Sequence, residues 1–208
     1  MTTAPTLAIT LSERIPKPWA WVADGVLVVL GSLTMAALAQ VALPLPFTPV
    51  PITGQTLGVL LVGGALGSRR GAASMLLYLL EGAAGLPVFA GGAAGPIVLF
   101  GPRGGYLFGF VLAAFCVGLL AERGFDRSFV SAVLAFGIGE LVIYSIGVPW
   151  LAFFVGAKPA LAAGFWPFLP GAVVKAAAAG VLLPVAWAAV RVWDKSEGNG
   201  SHPRHRRH

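Results

Sequence analysis

The sequence predicts an all-α integral membrane protein, built as a bundle of six transmembrane helices with both termini on the cytoplasmic side. Of its 208 residues, 57% are hydrophobic and only 11% are charged, and the mean hydropathy is +0.85. A water-soluble domain cannot bury that much apolar surface in one core. Several apolar stretches also approach the roughly 17 to 25 residues that a helix needs to cross a bilayer.

Six apolar segments divide the chain, and we predict one membrane helix in each. The predicted ranges are 25–43, 52–66, 71–86, 105–121, 129–146 and 168–192. The second and third are short for a bilayer, which is typical of local thinning or of a segment broken around a cavity. The segments lack two-residue alternation, so strands are excluded. Residues 4–17 lack the apolar core of a signal peptide, so the first helix is expected to be retained.

The basic residues predict the orientation, because Lys and Arg in short loops stay on the cytoplasmic side. Of the 14 basic residues, eleven lie before the first segment, after the second, fourth or sixth segment, or in the tail. Arg103 and Lys158 fall in loops of the opposite side, and Lys175 falls within the last segment. Both termini are therefore predicted to be cytoplasmic, with the glycine-rich stretch 85–110 facing outwards.

The tail over 196–208 is polar and aperiodic, so we expect a disordered basic extension of a single membrane domain, in contact with anionic lipid. It contains all three histidines, and a solvated terminus is a simpler interpretation than a metal site. Cys116 is the only cysteine, which excludes an intrachain disulfide. The net charge of +6 follows from the membrane bias and the tail rather than from a nucleic-acid surface.

Motifs for catalysis are missing from the sequence. There is no Gly-x-x-x-x-Gly-Lys-Ser/Thr phosphate loop. No histidine lies within the apolar segments to act as a base, and no carboxylate pair shares a short motif. Binding or transport is therefore favoured over an enzyme, with no cofactor and no metal.

Polar residues inside the apolar segments are the candidates for a binding site, because each costs roughly 2.5 to 3.5 kcal/mol on insertion scales. Glu140 lies in the middle of the fifth segment, and Tyr144 follows one helical turn later on the same face. Lys175 lies about two turns into the sixth segment. If these residues are functional, they face one shared cavity. The structural alternative is that Glu140 makes a hydrogen bond between helices and that Lys175 extends its ammonium group to the membrane surface.

Five fragments in order along the chain resemble the BioY family, the biotin-specific S components of energy-coupling-factor (ECF) vitamin transporters. They are residues 49–56, 85–92, 101–110, 141–144 and 167–171, which read PVPITGQT, GLPVFAGG, GPRGGYLFGF, LVIY and PFLPG, the last followed by Lys175. The resemblance covers most of the chain. It implies a six-helix protein of a bacterial cell membrane that captures biotin from outside, with outer loops as gates. It also implies a transmembrane coupling protein and two ATP-binding-cassette subunits as partners, although some members are thought to act without them.

Under this resemblance, biotin needs donors and acceptors for its ureido ring, a cation for its carboxylate and apolar walls for its rings. We assign Gln55, Tyr144 and Glu140 to the ureido ring. Lys175 and Arg103 are the two cations, and which of them contacts the carboxylate stays open. Phe89 and Tyr106 are predicted to supply aromatic walls.

Two further groups complete the predicted functional residues. Gly91, Gly92, Gly104 and Gly105 are predicted to let the outer loop move, with tight static turns as the alternative. Ser32 and Ala36 on the first helix are predicted to dock a partner helix, because small side chains allow close approach. Packing within the bundle explains their spacing equally well.

Two departures from the family pattern keep alternatives open. Typical members are expected to carry Asp three residues before the lysine and Asn after the paired glycines, where this chain has Ala172 and Ala93. An S component or carrier for another vitamin is therefore the main alternative. A small intramembrane lipid-modifying enzyme using Glu140, and a purely structural membrane subunit, are the alternatives from other classes.

Overall fold

The structure, a computed structural model, describes Thr6, Leu7, Thr10 and residues 17–200, with side chains for 18–190 of the latter range. Almost all of this is helical. The helices are α1 (Ala20–Gln40), α2 (Gln55–Leu66), α3 (Ser68–Ala83), α4 (Pro96–Phe100), α5 (Gly104–Ala121), α6 (Phe129–Val155), α7 (Ala157–Gly164) and α8 (Leu169–Gly200). Single 3-10 turns lie at Lys17–Trp19, Ala90–Gly92 and Trp166–Phe168.

The long helices pack as a closed ring in the order α1, α3, α5, α6, α8 and α2, and α2 also contacts α3 and α5. One end of the ring carries the connections 41–54 and 84–103, and we call it the lid end. In the first of these connections, β1 (Ala42–Leu43) pairs with β2 (Ile52–Thr53) as an antiparallel hairpin, with Ala42 opposite Thr53. The other end carries Arg69, Arg70, Arg123 and Arg127, and we call it the arginine end.

The helices have the surface of a membrane protein. Among the described residues, four helical stretches are long and apolar enough to cross a bilayer: Ala20–Gln40, Gly104–Ala121, Phe129–Val155 and Ala157–Val190. Large apolar side chains point away from the bundle, such as Phe153 at 88% and Leu141 at 65% exposure. In water such exposure would be costly, whereas lipid solvates it. The chain is therefore a multi-pass membrane protein.

Several helix ends differ from the predicted ranges. Helix α6 was predicted to end at residue 146 but continues to Val155, with Pro149 inside it. Membrane helices tolerate proline because neighbouring groups satisfy the freed carbonyl. The last helix likewise contains Pro184 and extends to Gly200, so the first part of the tail predicted to be disordered is helical. Residues 201–208, with the three histidines, lie outside the described residues.

Polar contacts at the arginine end fix the turns between helices. Glu122 Oε1 accepts hydrogen bonds from the Ser68 backbone N–H and Ser68 Oγ, both at 2.8 Å, and so caps the start of α3. Arg70 Nη2 lies 2.6 Å from Asp24 Oδ1 and joins α3 to α1. Asp126 is 2% exposed and accepts a hydrogen bond from Trp187 Nε1. Burial raises the pKa of the Asp126 carboxyl, and that hydrogen bond opposes the shift.

The crossing of α2 with α5 depends on a glycine. A Cβ built on Gly63 would lie 2.8 Å from the Ala114 carbonyl oxygen, a distance that side-chain atoms do not adopt without a shift of the backbone. Gly137 on α6 has no atom within 4 Å of the equivalent position and is exposed.

We therefore expect Gly63→Ala to destabilise the bundle by about 1 to 3 kcal/mol through overpacking. Gly137→Ala, the matched control, should be neutral or slightly stabilising because alanine favours a helix. Thermal unfolding in detergent measures both. Equal midpoints for the two variants would contradict the close crossing.

Candidate ligand-binding site

A cavity lies at the lid end, between α2, α5, α6 and α8 and under the connections of that end. It is lined by apolar and aromatic side chains with a small number of polar groups, the usual composition of a ligand site. The lining residues are Val50, Pro51, Thr53, Gln55, Thr56, Phe89, Ala90, Val98, Arg103, Tyr106, Leu107, Phe110, Ile143, Tyr144, Phe168 and Lys175.

The deep end of the cavity is polar. Lys175 Nζ on α8 donates a hydrogen bond to Thr56 Oγ1 on α2 at 2.9 Å. Glu140 on α6 borders this group and is 5% exposed, and within the described part of the chain neither of its carboxylate oxygens has a hydrogen-bond partner. The side chains of Thr56 and Tyr144 lie beside it, as does the positive charge of Lys175. The cavity therefore ends in a cation with donors to spare, and a carboxylate with unused acceptors lies directly beside that cation.

Aromatic rings form the walls between this polar end and the lid. Tyr106 and Tyr144 meet edge to face at 6.5 Å between ring centroids, and Phe165 meets Tyr144 in the same way at 5.2 Å. The Tyr106 hydroxyl donates to the Gly164 carbonyl oxygen at 2.8 Å, which fixes its ring against α7. Phe89 is 1% exposed and closes the cavity from the lid side. Such walls are suited to contacts with apolar ring systems.

A second cation lies nearer the lid end. Arg103 lines the cavity from the turn that precedes α5 and is partly exposed. The neighbouring Gly101 carbonyl oxygen accepts a hydrogen bond from Trp150 Nε1 at 3.0 Å, which anchors this turn to α6. The cavity thus has a cation at each end, and Lys175 is the deeper of the two.

The structure brings the predicted binding residues together. Six of the seven line the cavity: Lys175, Gln55, Tyr144, Arg103, Phe89 and Tyr106. The seventh, Glu140, lies beside the deep end of the cavity. Gln55 is already engaged, because its Oε1 accepts from Thr53 Oγ1 at 3.0 Å and its Nε2 donates to the Tyr78 hydroxyl at 2.8 Å. It therefore has less hydrogen-bonding capacity for a ligand than Glu140 has.

The four predicted gate glycines separate into two pairs. Gly91 and Gly92 lie in the connection after α3, with φ of 69° and 74° that favour glycine, and nothing surrounds their Cβ positions. Gly104 and Gly105 form the first turn of α5, where a Cβ would overlap Leu99 and Trp150 respectively. The second pair was predicted to belong to a moving loop, but these two residues are packing positions in a helix.

The predicted docking residues also need a correction. Ser32 is fully buried, and its Oγ donates to Glu81 Oε1 at 3.1 Å, so it joins α1 to α3 inside the bundle. A partner has no access to it, and the predicted docking role of Ser32 is wrong because its polar group has to be satisfied within the bundle. Ala36 is half-buried on the same helix.

Several lining residues were missed from the sequence. Thr53 and Thr56 lie in the fragment 49–56, and Phe168 lies in the fragment 167–171 that precedes Lys175. The fragments pointed to these residues, but single hydroxyl and phenyl groups in an apolar chain gave no reason to select them. The chain has three tyrosines, and two line the cavity while Tyr78 lies directly behind it. That rarity is the signal that reasoning from the sequence overlooked.

The fold and the cavity together define a multi-pass helical membrane protein with a candidate site for a small molecule that has polar ends and an apolar middle. Among the described residues, no three His, Cys, Asp or Glu side chains come together to hold a metal. The family model described as "BioY family" matches residues 8–192. The chain belongs to the BioY family.

Individual relatives agree with this assignment. The chain is similar to the biotin transporter BioY of Rhizobium etli, with 40% identity over 168 residues that cover 76% of this chain and 90% of the relative. It is 41% identical over 144 residues to the biotin transporter BioY of Thermotoga maritima, covering 69% and 84% of the two chains. A solved structure, the S-component for biotin from an ECF-type ABC transporter, superposes with a TM-score of 0.70 and 27% identity, covering 78% of this chain and 89% of that one.

The Glu140 carboxylate, which has no hydrogen-bond partner among the described residues, leads to a prediction about stability. We expect Glu140→Gln to change the thermal unfolding midpoint in detergent little. The neutral amide is less costly to bury than a carboxylate without a hydrogen-bond partner, but Lys175 loses the negative charge beside it. Glu122→Gln, the control, should lower the midpoint, because it weakens the charge-assisted cap of α3. A fall of the midpoint in Glu140→Gln as large as that in Glu122→Gln would show that the Glu140 carboxylate is satisfied.

Proposed function

We propose that this chain binds biotin in the cavity at the lid end and takes part in its transport across a bacterial cell membrane. The observation that carries the proposal is the polar deep end, where the Lys175 ammonium lines a cavity with aromatic walls. The Glu140 carboxylate lies directly beside it, with no hydrogen-bond partner among the described residues. The names of the relatives and of the solved structure support biotin as the ligand.

The chemistry of biotin matches this arrangement from end to end. Its ureido ring has a carbonyl oxygen between two N–H groups, so Lys175 can donate to the oxygen while Glu140 accepts from an N–H. The fused rings and the valeryl chain fit the walls formed by Tyr106, Tyr144 and Phe89. The carboxylate then extends towards Arg103, which can bind it through paired N–H groups.

This orientation of biotin also accounts for Ala172 and Ala93, the two departures from the family pattern. Ala172 is buried one turn before Lys175 on α8, where the family pattern is expected to have a carboxylate. Glu140 supplies a carboxylate from the facing helix α6. Ala93 lies in the connection after α3 and is packed against the apolar cluster around the cavity, so the ureido contacts depend on the deep end rather than on the lid.

We further propose that six helices cross the membrane, namely α1, α2, α3, α5, α6 and α8, with both termini in the cytoplasm and the lid end outside. The arginine end then follows the positive-inside rule. At 12 and 16 residues, α2 and α3 are short for a span, and local thinning accommodates such helices. Biotin enters from outside under this topology.

Release on the inside requires a further step. The likeness to the S-component of an ECF-type ABC transporter supports a coupling membrane protein and ATP-binding-cassette subunits as partners. We propose that the chain captures biotin by itself, and that such a module, where it is present, drives delivery inward.

Replacing the deep cation tests the biotin site. Lys175→Ala is expected to weaken biotin binding by at least about tenfold, or about 1.4 kcal/mol, because the ureido oxygen loses its donor. Lys158→Ala is the control, since Lys158 is an exposed residue of α7 outside the cavity. Isothermal titration of the purified variants gives the dissociation constants. Native affinity in Lys175→Ala would remove Lys175 from the site.

A further inference from the structure

A buried chain of hydrogen bonds runs behind the cavity wall and joins the two connections of the lid end. Thr53 Oγ1 donates to Gln55 Oε1 at 3.0 Å, and Gln55 Nε2 donates to the Tyr78 hydroxyl at 2.8 Å. The Tyr78 hydroxyl in turn donates to the Val88 carbonyl oxygen at 3.1 Å. Every donor points the same way, from the hairpin through α2 and α3 into the connection after α3, and such chains strengthen cooperatively.

The connection that ends this chain is tied to α3 by its backbone: the Leu86 N–H donates to the Glu81 carbonyl oxygen at 3.1 Å, and the Gly95 N–H donates to the Gly82 carbonyl oxygen at 2.8 Å. We define residues 85–95 as the lid. Its exposed parts flank one buried segment, Phe89 and Ala90, and glycines with positive φ lie on both sides of that segment, at Gly85, Gly91 and Gly92. The lid is thus a strip that is tied to α3 near both ends and packed on the bundle at its centre through Phe89 and Ala90.

Tyr78 holds that centre in two ways. It is fully buried, its ring meets the ring of Phe89 edge to face at 5.4 Å, and its hydroxyl binds the carbonyl of the preceding residue, Val88. The ring of Phe89 also packs on the backbone of Gly82, where a Cβ would overlap it. The only other side-chain donor recorded for the Val88 carbonyl oxygen among the described residues is Gln40 Nε2, at a longer 3.5 Å.

We propose that Tyr78 is a positioning residue that latches the lid over the cavity and links its closure to the ligand site through Gln55. Gln55 and Thr53 line the cavity, whereas Tyr78 does not, so a ligand that contacts either residue acts on the chain that holds Val88. In that way occupation of the cavity stabilises the closed lid. This inference extends the proposed function, but the latch itself can be tested without biotin.

The first test measures opening of the lid without ligand. In a Cys116→Ala background, Ala90→Cys places a thiol that the closed lid buries, since Ala90 is 9% exposed. Tyr78→Phe keeps the ring and removes only the hydroxyl. We expect it to raise the rate of maleimide labelling about tenfold, as for the loss of one buried hydrogen bond. Gln40→Ala, which removes the longer contact to the same carbonyl, should change the rate less than about twofold.

A double variant separates latching from general destabilisation. Tyr78→Phe leaves the Gln55 amide without an acceptor, and adding Gln55→Leu removes that unpaired group. The unfolding midpoint should then recover in part, because Thr53 Oγ1 loses its acceptor in the same step. The lid should nevertheless stay open, with labelling as fast as in Tyr78→Phe. If the labelling rate of the double variant returned towards the native rate together with its unfolding midpoint, Tyr78 would contribute only to stability. That result would overturn the proposal.

Biotin kinetics supply the second test. If the native chain binds biotin, Tyr78→Phe should raise koff about tenfold and change kon less, because the open lid no longer retains the ligand. An unchanged koff and an unchanged labelling rate would together refute the latch. Faster labelling in a chain that binds no biotin would support the latch and count against the proposed function instead.

Discussion

A half-buried ammonium that lines the cavity and a buried carboxylate beside it lie in an otherwise apolar bundle, and the organisation of the site depends on how they are satisfied. Lys175 is bonded to Thr56, and neither oxygen of Glu140 has a partner within the described chain. Charged groups in such surroundings are costly unless they have partners, and in membrane helices they mark sites of function. A ligand that offers an N–H beside a carbonyl oxygen satisfies both groups together.

This requirement explains the surrounding architecture. The polar end gains most from hydrogen bonding if water is kept out, and the bundle around it is closely packed at the Gly63 crossing and where Tyr106 is bonded to α7. Aromatic rings then line the path to the lid end, and Phe89 closes it. The lid must still open for entry, which is consistent with the exposed residues and the positive-φ glycines on both sides of its buried centre. The close packing, the polar deep end and the lid are thus all explained by the need to satisfy these two charged groups.

Much of the site was predictable from the sequence because intramembrane charges are rare. The cost of insertion alone selected Glu140 and Lys175, and the helical repeat placed Tyr144 beside Glu140. The bond between Lys175 and Thr56 was not predictable, since it joins residues 119 positions apart. Ser32 was misassigned because small residues suit both a docking face and an interior contact, and only the position of Glu81 decides between them. The end of α6 was misplaced because proline breaks helices in water far more than in a packed membrane bundle.

The most direct test of the account is titration of the purified chain in detergent with radiolabelled biotin, with unlabelled biotin, thiamine and riboflavin as competitors. The account predicts saturable binding at one site that only biotin displaces. Displacement by another vitamin, or no saturable binding, would contradict it and would mean that Ala93 and Ala172 mark a changed ligand or another function.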